Sequence, residues 1–253
     1  MTSSLRTFCC FIVLVLSGVT SFAQRPPAPH DLVELLRMYG GVTPPRNLLL
    51  SMPDNERMAA LVKLEGLLHS NDHQDLWGAA IESLGILSRT ETMRDLAAKL
   101  TAFMHTSGAF GCLQNCPDVL LDGDLRDSYK EAKSAVPVAL GYLIQNAYST
   151  YISRDTLSVV TGSIEGLERL AIVSSDRVSA PWCFSRDAVP AIDESCALGL
   201  QMNAVRGLRI AATVSDTRNS QTVQTSLMNI RDRASNPSVV AAARNALSAF
   251  DIH

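Results

Sequence analysis

The chain lacks the motifs that carry the commonest enzyme chemistries. It has no Gly-x-Gly-x-x-Gly turn to cradle a dinucleotide, no Gly-x-Ser-x-Gly elbow and no His-Glu-x-x-His metal helix. Its five histidines leave residues 106–252 without one. Basic residues number 22 against 25 acidic ones and form no cluster, which argues against a nucleic-acid partner and against docking on an anionic membrane. Aromatic residues make up only 6 % of the chain, and the Val, Ile and Thr alternation of strands is nearly missing, so a β-built core is not expected. No apolar run reaches the roughly 20 residues that a membrane-spanning helix needs. No cofactor, no resident metal and no membrane span are expected.

The N-terminus carries the first positive signal. Arg6 precedes an unbroken apolar run over residues 8–16, and residues 17–23 then turn small and polar, ending Ser21-Phe22-Ala23. A cationic start, a short apolar core and small residues at the −3 and −1 positions describe a secretory signal peptide. Residues 1–23 are therefore expected to be cleaved. Cys9 and Cys10 sit at the front of the apolar core and not just after the cut, which rejects a lipoprotein anchor. Residues 24–30, Gln-Arg-Pro-Pro-Ala-Pro-His, read as an extended Pro-rich linker. Residues 31–253 read as a single helical-repeat domain. The expected location is periplasmic or extracellular.

Cleavage after Ala23 leaves 253 − 23 = 230 residues with a charge balance of 21 − 25 = −4, and it leaves four cysteines: Cys112, Cys116, Cys183 and Cys196. An even number in an exported chain suggests disulfides. Four cysteines allow three pairings; the local one, Cys112–Cys116 with Cys183–Cys196, is the first choice. Zinc is rejected because Cys183 and Cys196 stand 13 apart with no histidine nearby.

The apolar pattern has helical period, and it repeats. One template reads apolar, two free, two small, two free, small, Leu. Leu76, Ala79, Ala80, Ser83 and Leu84 fit it, as do Val159, Gly162, Ser163, Gly166 and Leu167. Leu200, Ala204, Gly207 and Leu208 fit with Asn203 as a polar exception, and Val239, Ala242, Ala243, Ala246 and Leu247 fit throughout. These positions form one stripe of a helix, and small residues along it admit a close neighbour. The closing leucines stand 83, 41 and 39 apart. Since 83 is about twice 41, a degraded copy is expected near residue 125, around Leu125, Ser128 and Ala132.

This pattern resembles HEAT repeats, whose period is about 40 residues. The resemblance spans about residues 53–250. It implies an all-α, right-handed α-solenoid of about five helix pairs acting as a scaffold, and it transfers no functional residue. Helix punctuation fits such units. Met52-Pro53-Asp54 opens one helix, Asp75 is placed to cap the next, Thr90 opens one over 91–105, Pro137 starts one over 138–148, Asp155 or Thr156 opens one, and Asn236-Pro237 opens the last. Two stretches interrupt the pattern, 107–124 and 174–194, and the four cysteines fall in or at the end of them. Insertions of this kind often lie on a binding face.

Individual constellations point weakly. His69 and His73 stand four apart, but Ser70-Asn71-Asp72 between them reads as a solvated turn. Tyr129 and Lys133 form Tyr-x-x-x-Lys, which without a phosphate turn reads as an exposed helix turn beside Glu131. Asp118, Asp122, Asp124 and Asp127 surround Gly123 without the spacing of a calcium loop. Trp77 reads as core. Trp182, between Pro181 and Cys183, is a candidate binding residue, either as an exposed anchor or packed on a disulfide. The expected function is an exported scaffold that engages a protein or polymer partner through its groove and loops, with no catalytic residue assigned. The alternative is a lyase or hydrolase whose site is assembled from loops, with the acidic cluster and the histidines as suspects.

Overall fold

Helix boundaries follow local chemistry. In the computed structural model, which describes residues 31–105, 123–150, 153–173, 194–213, 217–248 and 250, helix α3 (Asp54–Leu67) begins after Pro53 with Asp54 and Glu56 in its first turn, where acids complement the helix dipole. Ser153 caps α7 (Arg154–Ile172) by accepting the Thr156 N–H at 3.3 Å. Asn236 caps α10 (Pro237–Leu247) by accepting the Ser238 N–H at 2.9 Å, with Pro237 in the first turn. The remaining helices are α1 (Leu32–Met38), α2 (Arg46–Leu50), α4 (Trp77–Leu87), α5 (Met93–His105), α6 (Gly123–Ser149), α8 (Glu194–Ala212) and α9 (Thr217–Arg233). A 3₁₀ turn, Asn71–Leu76, joins α3 to α4. The described residues are all-helical, without a strand.

The helices pack in antiparallel pairs whose members alternate between two rows. α3 packs on α4, α5 on α6, α7 on α8 and α9 on α10. Within the even row, α2 packs on α4, α4 on α6, α6 on α8 and α8 on α10. Within the odd row, α1 packs on α3, α5 on α7 and α7 on α9, while Lys99 of α5 reaches Glu65 of α3 at 3.4 Å. One cluster of buried side chains runs between the rows from Leu32 to Ala246.

The closest approaches lie in the even row. A methyl group added at Gly85 of α4 would run into the backbone of Ala139 on α6. One added at Gly141 of α6 would meet the backbone of Gly207 on α8, and one at Gly207 would meet the Pro137 carbonyl. The backbones therefore touch. Polar side chains fix the same register. The Asn146 amide donates to the Ile86 carbonyl at 2.9 Å, and Asn203 donates to the Ser134 carbonyl at 2.8 Å.

Three expectations change. Pro137 does not start a helix but lies inside the 27 residues of α6. Its missing N–H removes one helical hydrogen bond, at a cost of about 3 kcal/mol, yet Val136, Val138, Ala139 and Leu140 around it are all buried. The expected copy near residue 125 lies further on, at Ala132, Ala135, Val136, Ala139 and Leu140 of α6. Leu167 belongs to α7 in the odd row, so the even-row leucines are 84, 140, 208 and 247, spaced 56, 68 and 39. The two insertions stretch the first two intervals. Finally, Asp75 does not cap α4: its N-cap position is Leu76, which makes no side-chain cap. Ser70 caps the preceding 3₁₀ turn instead.

Gly207→Ala should destabilise the fold by roughly 1–3 kcal/mol through overpacking. Gly199→Ala, on the same helix with open space at its Cβ position, should be neutral or stabilise by about 0.5–1 kcal/mol. Urea melts of the two variants check this; equal midpoints would show that the α6–α8 contact is looser than described.

Candidate functional site

Both long insertions spring from the same edge of the molecule. The first joins the end of α5 to the start of α6, and the second joins the end of α7 to the start of α8. The equivalent connection between α3 and α4 is the 3₁₀ turn, and that between α9 and α10 is the short stretch 234–236. Cys112, Cys116, Trp182 and Cys183 lie outside the described residues, as do Asp118 and Asp122. Cys196 stands in the first turn of α8, half-buried against the core. Asp124 falls in the first turn of α6, and Asp127 is exposed one turn on.

A single even-row position secures the roots of these connections. Trp77, Lys133 and Gln201 each stand seven residues before the closing leucine of α4, α6 and α8, since 84 − 7 = 77, 140 − 7 = 133 and 208 − 7 = 201. Each donates to carbonyls at the C-terminus of its odd-row partner. Trp77 Nε1 donates to Leu67 O at 3.1 Å and to Ser70 O at 3.2 Å. Lys133 Nζ donates to Phe103 O. Gln201 Nε2 donates to Ala171 O at 3.5 Å and also to Val173 O. The last carbonyls of a helix have no internal donor, and leaving one buried and unpaired costs about 1–3 kcal/mol. In α10 the position is Val240, and the connection above it is short.

Lys133 is the unusual member. Its residue is 1 % exposed. Its Nζ lies 3.8 Å from the centroid of the Phe103 ring and 5.3 Å from that of Tyr129. The two rings meet edge to face, 5.7 Å apart. A helix C-terminus and two aromatic faces favour the cation, but burial outweighs them and lowers the amine to about 7. Tyr129, at 4 % exposure, is also buried. The reading of Tyr129 and Lys133 as an exposed helix turn is therefore corrected: one turn apart on α6, both face α5. An amine with a substantial neutral fraction at neutral pH is a base or nucleophile in other settings. Burial keeps this one from substrate, so its evident role is to cap α5.

The other candidates separate. Trp77 is fully buried. His73 accepts a hydrogen bond at Nδ1 from Arg37 at 3.1 Å, within the 3₁₀ turn; a guanidinium there opposes a bound metal ion. Among the described residues no group of three His, Cys, Asp or Glu side chains is arranged to hold a metal, and no helix is long and apolar enough to cross a membrane. Sequence reasoning missed the donor position, although a polar residue seven before each closing leucine was its visible trace in Trp77, Lys133 and Gln201.

Between about pH 7 and the ordinary lysine value of 10.5, the unfolded chain holds a proton that folded Lys133 has released. Unfolding free energy should thus rise with pH across that window, by on the order of 3 kcal/mol between pH 7 and 9.5; the slope from this group dies away below about pH 6. Lys133→Met should flatten the rise, as denaturant melts at the two pH values will show. An undiminished rise in the variant would exclude Lys133 as its source. No family model, no curated protein and no solved structure matches this chain.

Proposed function

We propose that the protein is an exported, non-catalytic helical scaffold, an α-solenoid of five helix pairs that engages a protein or polymer partner through its even-row groove and its two insertions. The pairs are α1/α2 to α9/α10, with the first much abbreviated. Equivalent packing of successive pairs, and the donor position shared by Trp77, Lys133 and Gln201, support the repeat and its resemblance to HEAT units. The observation that carries the functional reading is that two adjacent pairs lengthen the same connection. In stacked-helix arrays, insertions on one edge build a common binding face.

In this reading Cys112 pairs with Cys116 and Cys183 with Cys196, holding both insertions in shape, and Trp182 is the contact residue between them. Such disulfides require an oxidising compartment, which the leader at residues 1–23 provides, either periplasmic or extracellular. Among the described residues the buried Lys133 favours the alternative of a loop-built lyase or hydrolase site, through its lowered proton affinity; its position beneath the core surface, capping α5, favours the scaffold.

Non-reducing peptide mass spectrometry of the secreted chain should find it starting at Gln24 with both local disulfides closed. Capture of partners from the native extracellular or envelope fraction, with residues 174–193 replaced by a short Gly-Ser linker as the comparison, should lose at least one partner. Identical partner lists from both baits would sink the role of the second insertion.

A further inference from the structure

The even row presents a second feature away from the insertions. Arg206 on α8 reaches Glu82 on α4, with Nη2 and Oε1 3.8 Å apart. Helix α6 lies between those two helices, so the ion pair crosses over α6, where Tyr142 stands half-buried. Glu82 is the one residue of α4 that is not buried, and its other oxygen accepts from Thr43 Oγ1 at 3.0 Å. Thr43 and the exposed Arg46 belong to the start of the α2 cap over α4. Both Arg46 and Arg206 act electrostatically on the Tyr142 phenol, opposing the upward push of burial and of Glu82.

The charges in this patch do not balance. Two guanidinium groups, Arg46 and Arg206, answer to Glu82 at this place, and Arg209 lies exposed one turn beyond Arg206 on α8. Glu82 is the carboxylate that faces them. Its contact with Arg206 is longer than a hydrogen bond, and the Arg206 side chain remains 58 % exposed. An exposed pair of this length contributes little, at most about 1 kcal/mol. Among the described residues Arg46 makes no ion pair. An arginine fork has five donors suited to carboxylates, and both Arg46 and Arg206 are exposed.

We propose that Arg46, Tyr142 and Arg206 form a recognition site for the carboxylates of an acidic peptide segment, laid across α6 between the α2 cap and α8. The inference rests on the scaffold reading and names the chemistry of its partner. Glu82 acts as the internal competitor: it holds Arg206 loosely until a partner carboxylate replaces it. The Thr43 hydrogen bond keeps Glu82 in place after the exchange. The phenol offers a donor to the same carboxylate.

The test is a titration of the full chain with a fluorescein-labelled decaglutamate peptide, read by anisotropy, with decalysine as the control. Decaglutamate should bind saturably and decalysine should not. Combining Arg46→Gln with Arg206→Gln should weaken binding by about tenfold or more, the loss of one or two charge-assisted contacts. Arg231→Gln removes an equal charge from an arginine already paired with Asp232, and it should leave affinity within about twofold. Glu82→Gln should tighten binding, an effect that simple damage to the fold would not produce. Absence of decaglutamate binding, equal loss in the Arg231 variant, or weaker binding by the Glu82 variant overturns the proposal. So does displacement of decaglutamate by inorganic polyphosphate at lower concentration, which would mark a phosphate site instead. Partner capture through the insertions is read separately, so a negative titration beside a positive capture removes this inference alone.

Discussion

The backbone contact of α6 with α4 and α8 is the constraint on which the rest of the architecture depends. Gly85, Gly141 and Gly207 are the residues that permit it, and each costs a helix interior roughly 0.5–1 kcal/mol relative to alanine. Pro137, at the same contact, adds about 3 kcal/mol. These local costs are tolerated because α6 buries a core face between its neighbours: Ala132, Val136, Ala139, Leu140 and Leu143 are all fully buried. Close approach also sets what longer side chains can reach. Asn146 arrives at the end of α4, Asn203 at Ser134, and Arg206 passes over α6 entirely to meet Glu82. With helices held further apart, none of these contacts would form.

The donor position beneath the insertion-bearing edge shows one mechanical task solved by three chemistries. An indole, an ammonium and an amide each satisfy the carbonyls that end an odd-row helix. The indole and the amide are neutral and carry a modest burial cost. The ammonium does not: burying it costs enough to bring its proton affinity down to about 7. A lysine where tryptophan or glutamine serves in the neighbouring pairs is a local inconsistency of the sort that marks strain or function. It sits at the root of the Cys112–Cys116 insertion. The consequence is a pH-dependent term in the anchoring of α5 to α6, absent from the equivalent junctions at Trp77 and Gln201.

Much of the helical architecture was legible because caps are local. Pro53 and the Asn236-Pro237 pair announced the starts of α3 and α10 within one residue, and the all-helical class followed from the period of the apolar residues. Equivalence between helices was not legible. A small-residue stripe also occurs on α7, where Gly162 is exposed with open space beside it, so the stripe at Val159–Leu167 was counted with helices of the other row. The even-row spacing is irregular because the connections differ in length, a property no periodic template captures. Burial of Lys133 and Tyr129 was hidden for a related reason: their partner, Phe103, is 30 residues from Lys133 in sequence. Local pattern places both on a helix face but does not say what that face meets. Of the four cysteines and Trp182, Cys196 alone falls within the described residues.

A tight, glycine-lined row is poorly suited to motion and well suited to display. Binding loses less free energy to ordering when the contact groups are already held, and the groups on the even row are held by helices that cannot slide without backbone collision. Arg46, Tyr142 and Arg206 come from α2, α6 and α8 of that row, with α4 between the first two, so their spacing is determined by the closeness of α4, α6 and α8 and not by a flexible loop. The glycines that cost the helices stability thereby fix the distance between charged groups on the surface. In that sense the packing constraint and the recognition surface are one feature: widening the row by a single methyl group would relax Gly207 against Pro137 and, in the same step, separate Arg206 from Glu82.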